Sequence, residues 1–268
     1  MLADVGTTQL YYETVGDGPT ILTMHGGLGL DHSYLRVHDA LPNRVVYYDH
    51  RGNGRSPAGE GTVDLARWQD DAAALLDRLG EQQAIVYGHS FGAWIALGFA
   101  LRYPERVRAL VLCGAAAAFD YLDEIQAILA TRPPALAQAF MTAITTTPHS
   151  DDEFRATWLG ILPLYFHRYE PRHAQAFADT RYSASGFLLG AAQMPVFDVL
   201  AQLPGLAVPT LILSGADDFI TPPSQTRRIA STAKGVDVID FAASGHFPFL
   251  EERDRYVAEL RAWLHNRS

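Results

Sequence analysis

Short apolar runs rich in β-branched and aromatic residues recur along the chain. They are QLYYETV at 9–15, TILTMHG at 20–26, RVVYYDH at 44–50, AIVYGHS at 84–90, RALVLCG at 108–114, PTLILSG at 209–215 and VDVIDF at 236–241. Stretches of helical period separate them, at about Leu65 to Leu79, Phe91 to Tyr103, Pro223 to Ser231 and Arg253 to His265. In the second of these, Phe91, Trp94, Ile95, Leu97, Gly98 and Leu101 fall at helical spacing, with small residues for close approach to a sheet. Leu110 to Leu112 and Leu211 to Leu213 are apolar without alternation, the pattern of strands covered on both faces. Together these signals predict an α/β fold: a mostly parallel central sheet with helices on both faces, its opening runs open to antiparallel pairing.

The rhythm breaks after CGAAAAFD, and from 119 to 199 the sequence turns helical and irregular, rich in Pro, Thr and aromatics, without a strand pattern. Strand character resumes at PTLILSG. The division predicted is a core domain of residues 1–118 and 200–268, with residues 119–199 an inserted helical cap over the carboxyl edge of the sheet.

Composition narrows the function. The chain has 268 residues, 48% of them hydrophobic, enough for one sizeable core. Its formal charge is -9, Lys234 is its only lysine, and no basic run tracks phosphates, so nucleic acid is not expected as a partner. Cys113 is the sole cysteine, which excludes an internal disulfide and a tetrahedral cysteine zinc site. The histidines His149, His167 and His173 lack metal-binding spacing, and no phosphate-cradling glycine loop occurs, so neither metal nor cofactor is expected. No apolar segment approaches the roughly 18 residues a membrane helix needs. A cytoplasmic protein without a membrane partner is expected, as a monomer or a small homo-oligomer.

The chemistry concentrates in AIVYGHSFGAWIAL, where Gly-x-Ser-x-Gly falls between a strand and a helix. Gly88 and Gly92 lack a Cβ, so the chain can turn sharply there and hold Ser90 in a strained conformation with its hydroxyl exposed. The following helix points its positive end at the oxygen that becomes negative. A serine nucleophile needs a base, and the base an orienting acid. His246, in ASGHFPFLEE between the last strand and the last helix, is the base expected from its place in the chain order Ser, Asp, His. The acid follows LILSG, where Asp217 and Asp218 compete; adjacent side chains on an extended segment point apart, so one alone can face His246. Asp218 is the choice, with Asp217 as a turn or capping residue. The oxyanion needs two donors: the N–H of Phe91, directly after the nucleophile, and one from the TMHGGLG loop, Gly27 first and Leu28 second.

These motifs give a resemblance that covers nearly the whole chain. HGGLGLDHSYL, YDHRGNGRS and GHSFG resemble the loops of the α/β-hydrolase superfamily, in the branch related to proline iminopeptidases and carboxylesterases. The family's Gly-x-x-Asp-x-x-x-Pro pattern lands on Gly215, Asp218 and Pro222, which moves the choice of acid further toward Asp218. Leu28 stands where those peptidases have proline and His50 where they have glutamine. The resemblance implies structural roles for Asp49, Arg51 and Arg55, and packing roles for His25 and His89, while His32 and Tyr34 could border a pocket. A serine at position 90, where dehalogenases and epoxide hydrolases of this fold carry aspartate, points away from their reactions.

The expected activity is hydrolysis of a small-molecule carboxylic ester through an acyl-enzyme. The alternatives are an aminopeptidase of the proline iminopeptidase type, a lactonase, or a receptor that keeps the fold and turns over slowly. A peptidase would need a carboxylate for the substrate ammonium, and the 119–199 segment offers Asp120, Asp123, Glu124, Glu153, Glu170 and Asp179. Its aromatics Phe140, Trp158, Tyr165, Phe166, Tyr169, Phe177, Tyr182 and Phe187 are candidates for an apolar pocket, with Leu28, Trp158 and Tyr165 the substrate contacts chosen.

Overall fold

The computed structural model describes residues 1–265 and 267. Eight strands form one sheet: β1 (Leu2–Asp4), β2 (Gln9–Val15), β3 (Thr20–Met24), β4 (Arg44–Tyr48), β5 (Ala84–His89), β6 (Val107–Cys113), β7 (Thr210–Gly215) and β8 (Val236–Phe241). Their spatial order is β1-β2-β4-β3-β5-β6-β7-β8. β2 runs antiparallel to β1 and β4, and the remaining neighbours are parallel. Of the two opening runs, only the first is therefore antiparallel; β3 is parallel to both of its neighbours. β1 lay beneath the sequence reading because three residues are too few to show a period of two.

Alternating side chains divide the sheet between two cores. Leu22, Val46, Val86, Leu110 and Ile212 face one core, completed by helices α1 (Leu65–Leu79) and α2 (Phe91–Arg102). Ile21, Val45, Ile85, Val111 and Leu211 face the other. This alternation inside continuously apolar runs leaves β3, β5 and β7 buried on both faces, whereas β8, at the edge of the sheet, exposes Asp237 and Asp240. The register pairs Leu22 with Val46 and Val86, so neighbours on a face belong to the same core.

α1 starts at Asp64, whose side chain accepts the Arg67 N–H at 2.8 Å, and ends at Gly80. Its stripe of Trp68, Ala72, Leu75 and Leu76 turns inward. α2 is buried from Phe91 to Ala100, which is why its sequence is apolar all round.

Between β6 and β7 the chain forms α3 (Leu122–Leu129), α4 (Pro134–Thr145), α5 (Asp151–Ile161), α6 (Pro171–Gln175) and α7 (Ala184–Ala191), with no strand among the described residues. Its two ends meet: Ala118 bridges Asp198, and the Val199 N–H donates to Ala117 O at 2.8 Å. Ser150 caps α5, whose first turn carries Asp151, Asp152 and Glu153 against the positive helix end. A third apolar cluster, including Tyr121, Ile125, Phe140 and Ile161, packs on Phe219 in the loop after β7. The fold closes with α8 (Pro223–Thr232), α9 (Pro248–Glu251) and α10 (Arg253–His265). Among the described residues no helix is long and apolar enough to cross a membrane.

Candidate active site

Parallel strands place their carboxyl ends on one edge, and the loops after β3, β5, β7 and β8 carry the residues singled out by sequence. Ser90 joins β5 to α2 at φ 55° and ψ -122°, the only non-glycine residue at positive φ among those described. The strain is held from both sides: the Ser90 N–H donates to Cys113 O at 2.8 Å, and Ser90 O accepts the Ala93 N–H at 2.8 Å. The flanking glycines serve close packing rather than the turn itself. Neither has positive φ, but a Cβ at Gly92 would lie 2.2 Å from Met24 O and one at Gly88 2.4 Å from Gly92 O. Ser90 is half-buried, and the N–H of Phe91 opens α2, where a helix has no partner of its own to offer.

The loop after β3 lies directly on Ser90. A Cβ at Gly26 would stand 2.7 Å from Ser90 Cβ, so only glycine fits there. Gly26 is held through both of its flanking peptide groups. Its N–H donates to Tyr34 Oη at 2.7 Å, and its carbonyl accepts from His25 Nδ1 at 3.0 Å. His25 Nε2 accepts the His50 N–H at 2.9 Å, which leaves the ring proton on Nδ1. In a trans peptide the carbonyl and the next N–H point in opposite directions, so the Gly26 carbonyl bond also sets the direction of the Gly27 N–H. Burial pushes the His25 and His50 imidazoles down from the usual range, favouring the neutral rings this arrangement requires.

After β8, His246 Nδ1 donates to Asp218 Oδ2 at 2.7 Å, with both residues buried. Asp218 also accepts the N–H groups of Ile220 and Thr221 at 2.9 and 3.0 Å and the Thr221 hydroxyl at 2.7 Å. A carboxylate surrounded by donors is an acceptor throughout, which fixes the proton of His246 on Nδ1 and leaves the Nε2 lone pair free for a donor. Asp217 points elsewhere and pairs with Arg132 of the helical segment at 2.7 and 2.9 Å. It is a tie between layers rather than a turn or capping residue. The His246 loop is tied similarly: its N–H donates to Tyr165 O at 2.7 Å, and Glu251 accepts the N–H groups of Gly245 at 2.7 Å and Arg168 at 3.1 Å.

Ser90, His246, Gly27 and Phe91 line one cavity of about 950 Å³. Among the described residues no hydrogen bond joins Ser90 to His246, a contact that commonly tightens only with substrate in place. Leu28, Trp158 and Tyr165 stand in the wall, together with Phe140 and Phe187. Phe166, Phe177 and Tyr182 are buried in the apolar core instead. Tyr34 borders the cavity, but His32 does not: it is buried with its Nδ1 against Asp49. Asp49 also accepts the Arg55 N–H at 2.8 Å, and Arg51 forms a fork to Asp71 at 2.6 and 2.7 Å. These are framework contacts, as the resemblance implies.

The acids of the helical segment are mostly turned to other work. Asp120 pairs with Arg228, Glu124 accepts from Ser224 and Gln225, and Glu170 pairs with Arg172. Glu153 alone of those six borders the cavity. Sequence reasoning did not reach Tyr34 as a partner of Gly26, nor Thr221, Glu251 and Arg132; their contacts join residues up to 85 positions apart.

A family model for the alpha/beta hydrolase fold matches residues 19–253, and the chain belongs to that family. Within it, the chain is similar to the proline iminopeptidase PfmaB of Pestalotiopsis fici, 26% identical over 275 residues that cover 97% of this chain and 98% of that protein. Among solved structures, the enol-lactonase of Burkholderia xenovorans LB400 is 25% identical with a TM-score of 0.79, covering 99% of this chain and 100% of its own. An esterase of Exiguobacterium antarcticum, 22% identical over 96% of both chains with a TM-score of 0.77, shares the fold.

Proposed function

We propose that the protein is a serine hydrolase that cleaves a carboxylic ester through an acyl-enzyme. As Ser90 Oγ attacks the carbonyl carbon, His246 Nε2 takes its proton and then delivers it to the leaving alkoxide. Asp218 holds the Nδ1–H and stabilises the imidazolium. The N–H groups of Gly27 and Phe91 receive the oxyanion. Water activated by His246 then attacks the acyl carbon, releasing the acid and restoring Ser90. Residues 119–199 act as a cap that walls the cavity and limits water around the intermediate.

The observation that carries this reading is the positive φ of Ser90 at the head of α2, on the same cavity as the hydrogen-bonded His246 and Asp218. An uncharged ester is favoured by the wall, which is largely apolar and aromatic. A second reading, an aminopeptidase, draws support from Glu153 at the cavity and from the relatives named proline iminopeptidases. The named enol-lactonase keeps a cyclic ester among the esters to be tried.

The test is turnover of a short-chain p-nitrophenyl ester, a lactone and a prolyl p-nitroanilide, each with Ser90→Ala as the blank. Ser90-dependent ester cleavage without anilide cleavage supports the esterase. Efficient Ser90-dependent release of proline puts the aminopeptidase first, and near-normal turnover by Ser90→Ala removes the acyl-enzyme altogether.

A further inference from the structure

Three buried hydrogen bonds run in sequence from the oxyanion loop to the base. The Gly26 N–H donates to Tyr34 Oη at 2.7 Å, Tyr34 Oη lies 2.9 Å from His89 Nδ1, and His89 Nε2 lies 3.1 Å from the carbonyl oxygen of His246. Tyr34 and His89 are 3% and 1% exposed, and these bonds are the contacts that satisfy their polar atoms. The direction of every proton follows from the two ends. A backbone N–H can only donate and a carbonyl can only accept. His89 must therefore carry its proton on Nε2, facing His246 O, and Nδ1 must accept. The Tyr34 hydroxyl, already accepting from Gly26, donates to Nδ1. The opposite tautomer would set a bare Nε2 against a carbonyl and leave the phenol proton without a partner.

Burial, together with the nearby His246, pushes the His89 imidazole well below its ordinary range, in keeping with a neutral ring. The rings are also packed in place: His89 lies 4.8 Å from His246 and 5.3 Å from Phe247 between centroids, and Tyr34 stacks on Phe177 at 5.4 Å. His89 directly precedes Ser90. One chain of bonds thus touches the oxyanion loop, the nucleophile's neighbour and the backbone of the base.

We propose that Tyr34 and His89 are positioning residues, a one-way hydrogen-bond relay that keeps the oxyanion loop and the base-bearing loop in register around Ser90. The proposal rests on the acyl-enzyme reading for its effect on rate. Neither side chain donates to or takes a proton from the substrate. Removing the Tyr34 hydroxyl orphans the Gly26 N–H and His89 Nδ1 together and leaves the 25–26 peptide held from its other end alone, where His25 O accepts from His50 Nε2 at 3.0 Å. Because Gly27 follows Gly26, the transition state suffers more than substrate binding does.

The test compares Tyr34→Phe, His89→Phe and the double variant on a p-nitrophenyl ester, with kcat counted per Ser90 titrated by a p-nitrophenyl phosphonate. Each single variant is expected to lower kcat on the order of 10- to 100-fold with KM within about twofold, since small misplacements at a reacting centre cost that much. The double variant is expected to fall no further than the worse single, because one relay is broken once. A Tyr34→Phe kcat within about twofold of the parent, or losses that multiply in the double variant, overturns the relay. Nitrogen NMR of the unmodified protein at pH 7 is independent of variant folding: His89 protonated on Nε2 alone supports the relay, and Nδ1–H or imidazolium overturns it. Ester hydrolysis that survives Ser90→Ala overturns the acyl-enzyme reading alone, and the His89 tautomer then decides the relay.

Discussion

Asp217 and Asp218 are the same residue type one position apart, and their surroundings separate them completely. Asp218 is buried with four donors on its carboxylate, one of them His246; Asp217 is about one-third exposed and forks with Arg132. Asp218→Asn is therefore expected to lower kcat by roughly 10⁴-fold, because the amide offers an N–H where His246 needs an acceptor and the ring loses its tautomer. Asp217→Asn is expected to lower kcat less than tenfold and stability by about 1 kcal/mol or less, as partly exposed pairs do. Parallel kinetics and urea melts of the two variants check both, and equal kinetic losses would sink the assignment of Asp218. The site was legible in the sequence because strand ends, chain order and Gly-x-Ser-x-Gly are local. Even so, the glycines do not make the turn that Gly-x-Ser-x-Gly suggests: Ser90 itself takes the positive φ, and the glycines clear space for Met24 O and Gly92 O. The partners that hold the site were not legible, since nothing near Arg132 announces Asp217 and nothing near Tyr34 announces Gly26.

At the scale of elements, the loop after β4 is pinned to α1 by a buried ion pair. Arg51 is fully buried and donates to Asp71 from two nitrogens, while Trp68 Nε1 donates to Arg51 O at 3.0 Å. Arg51→Leu leaves the Asp71 carboxylate buried without its cation, so a loss of about 3 to 5 kcal/mol is expected. In a domain of this size that corresponds to a fall in Tm of roughly 10 °C. The surface pair Arg106 with Asp77, whose carboxylate is largely exposed, serves as the control: Arg106→Leu should move Tm by only a few degrees. Equal shifts in calorimetry would contradict the importance of burial at Arg51. The seven apolar runs and helices α1, α2, α8 and α10 were readable because strand and helix patterns alternate there and each marks the bounds of the next. β1 was too short, and α3 to α7, of five to twelve residues each, stand outside that alternation. Their ends depend on local caps such as Ser150 and Ser183 and on packing against Phe219, which no period encodes.

For the whole molecule, acid stability depends on carboxylates whose folded environment differs most from water, and Asp49 is the clearest. Burial alone would raise its pKa; the hydrogen bond and charge of His32, helped by the Arg55 N–H, override that and bring it down to about 2. An unfolded aspartate titrates near pH 3.9, so the folded state holds the proton more weakly than the unfolded state does. The stability from this group is therefore fully present above about pH 4 and is lost as pH falls through about 2, an amount of about 2 to 3 kcal/mol. Glu251 acts in the opposite sense: burial raises its pKa in the fold, so its contribution is present below the unfolded carboxylate value and lost as pH rises through the folded one. Asp49 follows β4 with its N–H donating to Tyr11 O of β2 at 3.0 Å, and its carboxylate is bound to His32 on one side and Arg55 on the other. Its protonation should thus loosen the loop that carries Gly26 and Gly27 along with the fold. Urea unfolding of the parent and Asp49→Asn at pH 7 and pH 3 measures this. The variant should be less stable at pH 7, and the gap should narrow at pH 3 as the parent carboxylate begins to protonate in the unfolded state. A gap that stays constant between the two pH values would show that Asp49 stabilises by packing and hydrogen bonding alone, with no part in the acid limb.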